Sequence, residues 1–347
     1  MKKTSKIGRI LALALAAALV FSGCGAPKSD VPPNSQETPN TQPQEEKEKP
    51  AVRVAALKGP TAIGMLNLME SSDKGEAANT YTFTLAGAPD EIVGKVATGE
   101  VDIAAVPTNL ASVLYAKTKG QVQLAALNTL GVLYIVETGD AVHSVADLEG
   151  KTIAATGQNA TPEYALNLIL EKNGLKAGET VTVEYKQEHA EIAPLLASGQ
   201  VEIALLPQPF VTSLLAQNEN VRVALDVTQE WDKAVEGASQ LTMGALVVRR
   251  EFAENNKEAL NAFLAEYKTS VEMATGEDTL AHTAQLAEQY DIMKEAIALK
   301  AIPQCNITFI EGEEMEQIAS GFLTVLFEAN PQSVGGALPD EAFYYKK

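Results

Sequence analysis

Cysteine, histidine, tryptophan and basic residues are all scarce in this chain of 347 residues. Two cysteines, Cys24 and Cys305, are too few for a disulfide framework. The three histidines, His143, His189 and His282, stand in polar surroundings without metal-ligand spacing. There is no Walker loop, dinucleotide glycine fingerprint, nucleophile elbow or zinc motif, so catalysis lacks a sequence basis. Glu188, Glu191 and Glu202 read as ordinary solvated charge. Aromatics make up 5% of the residues, too few for a base-stacking groove. With 27 basic against 45 acidic groups, the formal net charge is −18. Phosphate-backbone binding needs clustered Lys and Arg, so nucleic acid is excluded as a partner.

What is present begins with a repeat. Val96-Ala97-Thr98-Gly99-Glu100-Val101-Asp102-Ile103-Ala104-Ala105-Val106-Pro107 returns as Leu196-Ala197-Ser198-Gly199-Gln200-Val201-Glu202-Ile203-Ala204-Leu205-Leu206-Pro207, with six of twelve positions identical. Each copy reads as a helix end, a glycine cap, a short apolar strand and a proline that opens the next helix. The length allows roughly two domains. A strand–loop–helix unit used once in each implies two similar α/β domains that face each other. Ligands of open α/β sheets sit outside the carboxyl ends of the strands.

The start of the chain reads as targeting. Lys2, Lys3, Lys6 and Arg9 precede the apolar run Ile10–Phe21, which falls short of the about twenty residues needed to span a bilayer. Phe21-Ser22-Gly23-Cys24 resembles the bacterial lipobox, with Phe where Leu is usual; Cys24 is then the lipidated N-terminus. Removing residues 1–23 leaves 23 basic against 45 acidic groups, a net −22. Residues 24–50, rich in Pro, Gln, Asn, Ser, Lys and Glu, read as a disordered tether. Cys305, between Pro303 and Ile307, is expected to be buried.

The body opens with strand Val52–Leu57, the loop Lys58–Thr61 and helix Ala62–Glu70. Strand Tyr81–Leu85, helix Glu91–Thr98, the first repeat copy and strand Gln121–Leu127 continue a βαβ series, which implies a parallel sheet. Leu130–Val136 reads as a strand that leaves the first domain. A second series follows: strand to Ile153, helix Tyr164–Asn173, strand Val181–Tyr185, helix Glu188–Ala197, the second copy and strand Val221–Leu225. Leu241–Val248 crosses back. Helices Lys257–Ala274, Thr279–Tyr290, Lys294–Leu299 and Gly312–Glu328 are expected to pack on the first domain. Trp231 is assigned to core, with Trp231 and Tyr134 held as cleft-wall candidates if the ligand is aromatic.

This order of elements, together with Val145-Ala146-Asp147-Leu148-Glu149-Gly150-Lys151-Thr152-Ile153, the Thr156–Pro162 loop and the doubled Gly-x-Val-[Asp/Glu]-Ile-Ala, resembles the type II periplasmic-binding-protein fold. Over residues 51–330 it is similar to the nitrate/sulfonate/taurine group of ABC-transporter substrate-binding lipoproteins. The resemblance implies an α/β fold of two lobes, each a mostly parallel sheet with flanking helices, joined by two hinge strands. The lobes are expected at 51–135 plus 245–347 and at 136–244. It also implies a small-molecule ligand between the lobes, ABC permease and ATPase subunits as partners, a monomer on the extracytoplasmic face of the bacterial membrane, no cofactor and no metal. A sensor lipoprotein is an alternative. Enzymes on this fold exist, but an enzyme has to account for an export signal and a tether.

Five loops end strands and begin helices: Lys58–Thr61, Gly87–Asp90, Pro107–Asn109, Thr156–Thr161 and Pro207–Pro209. Helix N-termini with free N–H groups suit a carboxylate, sulfonate or nitrate. Candidate ligand-binding residues are Lys58 for charge, Thr61, Thr108 and Thr161 at helix starts, and the amides of Asn109, Gln158, Asn159 and Gln208. Thr61 and Thr161 are also expected as N-caps. A neutral heterocycle, such as a pyrimidine precursor of thiamine, is the alternative ligand.

Overall fold

A computed structural model describes residues 49–347; the leader, Cys24 and nearly all of the tether lie outside the described residues. The strands in chain order are β1 (Ala51–Leu57), β2 (Thr80–Ala86), β3 (Ile103–Pro107), β4 (Val122–Leu130), β5 (Leu133–Thr138), β6 (Thr152–Ala155), β7 (Thr182–Tyr185), β8 (Ile203–Pro207), β9 (Val221–Asp226), β10 (Thr242–Arg249) and β11 (Ile307–Ile310). They form two sheets, in the orders β11-β4-β10-β3-β1-β2 and β7-β6-β8-β5-β9, each flanked by helices.

The duplication seen in the sequence extends to topology. Leaving aside the edge strand β11, β2-β1-β3-β10-β4 in one lobe corresponds to β7-β6-β8-β5-β9 in the other. The repeat copies are β3 and β8, buried at every position, as strands covered on both faces must be. The turns before them are superposable in their bonding: Gly99 N donates to Val96 O and Gly199 N to Leu196 O. Glu100 N and Gln200 N then reach back to Lys95 O and Leu195 O. Both glycines hold the left-handed conformation of a helix C-cap, at φ of 76° and 69°.

Neither sheet is wholly parallel. β10 runs antiparallel between β3 and β4, and β5 runs antiparallel between β8 and β9. Each inserted strand belongs to the segment that arrives from the other lobe. The first crossing is confined to Gly131 and Val132, because β4 pairs in one sheet up to Leu130 and β5 pairs in the other from Leu133. The expected single strand Leu130–Val136 is therefore broken. The return crossing lies ahead of β10, between helix Val227–Ala234 and Thr242.

Other departures have local causes. The helix expected over Ala62–Glu70 is two, Pro60–Ile63 and Leu66–Asp73. At the break Ser270 Oγ donates to Gly64 O at 2.7 Å and accepts from Leu68 N at 3.1 Å, so helix Lys257–Thr275 takes bonds that a continuous helix would make. Pro207 ends β8 but does not open a helix; the next one starts at Phe210, with Pro209 as its N-cap.

The C-terminal helices do more than cover the first lobe. Helix Gly312–Ala329 packs on β4 and β10 and also reaches the second lobe, where Phe322 lies 5.5 Å from Trp231, centroid to centroid. Trp231 is fully buried there and donates from Nε1 to Ser239 O at 3.2 Å. Cys305 is buried, its thiol bonded to Ala301 O and its pKa pushed up to about 12 by desolvation. Among the described residues no helix is long and apolar enough to cross a membrane.

Candidate functional site

The loops after β1, β2, β3, β6 and β8 converge on one cavity of about 90 Å³ between the lobes. The carboxyl ends of both sheets face each other across it, so the switch-point geometry of one α/β sheet is here doubled. Lys58, Gly59, Pro60 and Thr61 come from the first loop, Gly87 and Pro89 from the second and Pro107 from the third. The second lobe contributes Thr156, Gly157, Ala160, Pro162 and Pro207. Leu57, Thr129, Val132, Leu133 and Met243 close the floor where the chain crosses.

Two wall residues were not foreseen, Gln187 and His189. They follow β7, the counterpart of β2, so their loop is the counterpart of Gly87–Pro89. The signal was available in the topology but not in the residues, which share nothing. His189 is not in a polar setting. Its ring lies 4.5 Å from that of Phe210, and Nδ1 is 2.6 Å from Thr156 Oγ1. Enclosure by this wall disfavours the charged imidazole and pushes its pKa down to about 4, so His189 is neutral at pH 7.

The eight expected ligand residues fall into three groups, with Thr108 apart from all of them. Lys58 and Thr61 line the cavity. Lys58 Nζ stands 3.5 Å from Asp291 Oδ2 at the rim. Thr61 is not an N-cap: Gly59 occupies that position, and the Thr61 hydroxyl donates to Leu57 O at 3.0 Å.

Asn109, Thr161 and Gln208 are buried and join the lobes instead of facing the cavity. Asn109 Oδ1 accepts from Thr161 Oγ1 at 3.1 Å, while its Nδ2 donates to Ser333 O at 3.0 Å and to Asn159 O at 3.4 Å. Thr161 is likewise not the cap of its helix; Ala160 is, because the hydroxyl is committed to Asn109. Gln208 Nε2 donates to Gln304 Oε1 at 3.1 Å, and its Oε1 accepts from the Thr212 hydroxyl at 2.8 Å.

Gln158 and Asn159 lie in an outer groove of about 500 Å³, with Tyr164, Tyr185 and Lys186, which shares Pro89, Gly157 and Gln187 with the inner cavity. Thr108 is buried beside Pro107, and its Oγ1 has no partner among the described residues. Tyr134, on β5, is not part of the cavity wall. Glu188 is exposed, as expected of solvated charge, and its Oε1 lies 3.0 Å from where a Cβ on Gly87 would stand. Among the described residues no group of His, Cys, Asp and Glu is arranged to hold a metal ion.

Known structures share this architecture. An ABC transporter protein from Parabacteroides distasonis is 23% identical, over 86% of this chain and 99% of its own, with a TM-score of 0.70. The alkanesulfonate-binding protein SsuA from Xanthomonas axonopodis pv. citri, bound to MOPS, is 17% identical over 81% of this chain and 93% of its own, with a TM-score of 0.65. The periplasmic nitrate-binding protein NrtA from Synechocystis PCC 6803 is 12% identical over 70% of this chain and 67% of its own, with a TM-score of 0.56. At such identities the likeness carries the fold and not the ligand. No curated protein matches the chain. The sequence model described as ABC transporter, phosphonate, periplasmic substrate-binding protein matches residues 76–297, more than half of the chain, with the whole of the second lobe and part of the first. The chain thus belongs to the family of periplasmic substrate-binding proteins of phosphonate-type ABC transporters.

Proposed function

We propose that this protein captures a small organic anion between its lobes and delivers it to a membrane permease, held at the extracytoplasmic face by lipid on Cys24 and acting as a monomer. The observation that carries the reading is the convergence of all five strand-end loops on a cavity whose one full positive charge, among the described residues, is Lys58. Helices Pro89–Thr98, Thr108–Lys117 and Thr161–Lys172 begin at this cleft, and the partial positive charge of a helix start favours an anion. The two crossings, at Gly131–Val132 and ahead of Thr242, are where the two lobes would rotate to close.

A neutral ring is the second reading, favoured by the neutral His189 and by walls built largely of proline and aliphatic side chains. Passing occupancy to a membrane receptor instead of a permease uses the same cavity. The test is a thermal-shift screen against nitrate, taurine, methanesulfonate, methylphosphonate and a thiamine pyrimidine precursor. A ligand at a thousand times its Kd stabilises by about 4 kcal/mol. Stabilisation by the pyrimidine alone would replace the anion reading with the neutral one.

A further inference from the structure

We propose that the cavity is matched to a solute with a single negative charge on an apolar body, and that it rejects the doubly charged form of the same head group. This rests on the anion reading above and sets the valence that the reading leaves open.

Two counts point this way, one of charge and one of donors. Lys58 is the only Lys or Arg among the described residues lining the cavity, and no Asp or Glu lines it. That single cation is already shared, since its Nζ lies 3.4 Å from Asp291 O and 3.5 Å from Asp291 Oδ2. Glu188 brings a carboxylate to the opposite rim beside Gly87. His189 supplies no charge at neutral pH. A second negative charge inside would have no cation of its own, and the nearest side-chain charges outside the wall that touch its loops, Asp291 and Glu188, are also negative.

Donors are fewer at the helix starts for a reason written in the sequence. Five prolines, Pro60, Pro89, Pro107, Pro162 and Pro207, stand in the wall. Pro60, Pro89 and Pro162 occupy the first two positions of their helices. Those positions are where a helix offers unpaired N–H groups to an anion, and proline has none. The helix dipoles favour anions of either valence but fade within a turn. What the prolines remove in donors they return, with Leu57, Val132, Leu133 and Met243, as apolar surface.

Methanesulfonate and methylphosphonate isolate the difference: the same methyl body and a tetrahedral head, singly charged at all working pH in the first and doubly charged above its second ionisation in the second. The whole protein is titrated calorimetrically with each from about pH 6 to about pH 9, a window that spans the second ionisation of an alkylphosphonate, which lies above the value of about 6 of a phosphate monoester. Methanesulfonate affinity is expected to stay level. If only the monoanion binds, methylphosphonate should weaken about tenfold for each pH unit above its second ionisation, because apparent affinity scales with the competent fraction. Sulfate should not displace methanesulfonate. Methylphosphonate binding that stays level or strengthens as the dianion forms overturns the valence proposal and leaves the anion reading intact, and so does displacement by sulfate. A parallel loss for methanesulfonate assigns the pH dependence to the protein and also overturns it. Failure of both ligands to bind at any pH overturns the anion reading itself.

Discussion

Thr161 donates to Asn109 across the cleft at 3.1 Å, and both side chains are fully buried. Each sits at the start of the helix that follows a strand, one in each lobe, so the bond ties the two strand-end loops together. Asn109 extends the tie to the C-terminal segment through Ser333 O. Asn109→Ala would leave the Thr161 hydroxyl and the Ser333 carbonyl without partners, at a cost of about 1–3 kcal/mol. We expect a lower Tm and, by small-angle scattering, a larger radius of gyration than wild type. A variant with an unchanged radius would show that this bond does not hold the lobes together.

Trp231 is the only tryptophan in the chain and meets Phe322 where the second lobe touches helix Gly312–Ala329. Its emission should therefore report lobe movement without any label. Binding of a stabilising ligand should shift its intensity or wavelength, whereas Phe322→Leu should blunt that response. Trp231→Ala should cost about 3–5 kcal/mol, as expected for emptying a buried aromatic site.

Gly131, in the first crossing, approaches Thr228 so closely that a Cβ there would lie 2.2 Å from Thr228 Oγ1. Gly131→Ala must push the crossing segment away from helix Val227–Ala234. Thermal stability should fall, and adding Thr228→Ala should recover part of the loss. Additive effects in that double-mutant cycle would deny the contact a role.

How much of this was legible in the sequence depended on how local each signal is. The β3 and β8 repeat stood out because glycine, apolar run and proline lie within twelve residues. The insertion of β10 between β3 and β4 did not, since its partners are more than a hundred residues away and nothing in Thr242–Arg249 names them. Strand β11, with four residues among long helices, has too short a pattern to be recognised. The capping roles given to Thr61 and Thr161 failed for a tertiary reason: each hydroxyl had a better acceptor than its own helix. The same competition turned Asn109 and Gln208 from free cleft amides into lobe-to-lobe bonds, with Thr161 and Gln304. Chain order still indicated where the cavity is, because strand ends are read from periodicity alone.

His189 should make stability depend on pH in one direction. Its pKa is about 4 in the folded chain, against about 6.5 when unfolded. Between those values the unfolded state takes up a proton that the folded state refuses. Stability is therefore full above about pH 6.5 and falls as pH drops toward 4, by at most about 3 kcal/mol. Wild type should lose more Tm between neutral and mildly acid pH than His189→Gln does. Equal losses would mean that the acid sensitivity comes from other groups.

Lys58 decides what the cavity recognises. Its side chain is 42% exposed and its partner Asp291 is 99% exposed, so their ion pair contributes little to the fold. Lys58→Met should accordingly leave the Tm of the ligand-free protein nearly unchanged. Binding is another matter, because a charge-assisted hydrogen bond inside a cavity is worth about 1.5–3 kcal/mol. Methanesulfonate affinity should then drop roughly ten- to a hundredfold. Gln158→Ala should cost far less, since Gln158 sits exposed in the outer groove and one neutral hydrogen bond is worth about 1 kcal/mol. For a neutral ring the ranking inverts: Lys58→Met becomes silent, while His189→Ala, which strips the ring from the wall beside Phe210, becomes the damaging change. Calorimetric titration of the three variants separates the cases, and a Lys58→Met protein that still binds methanesulfonate at full strength would end the anion reading.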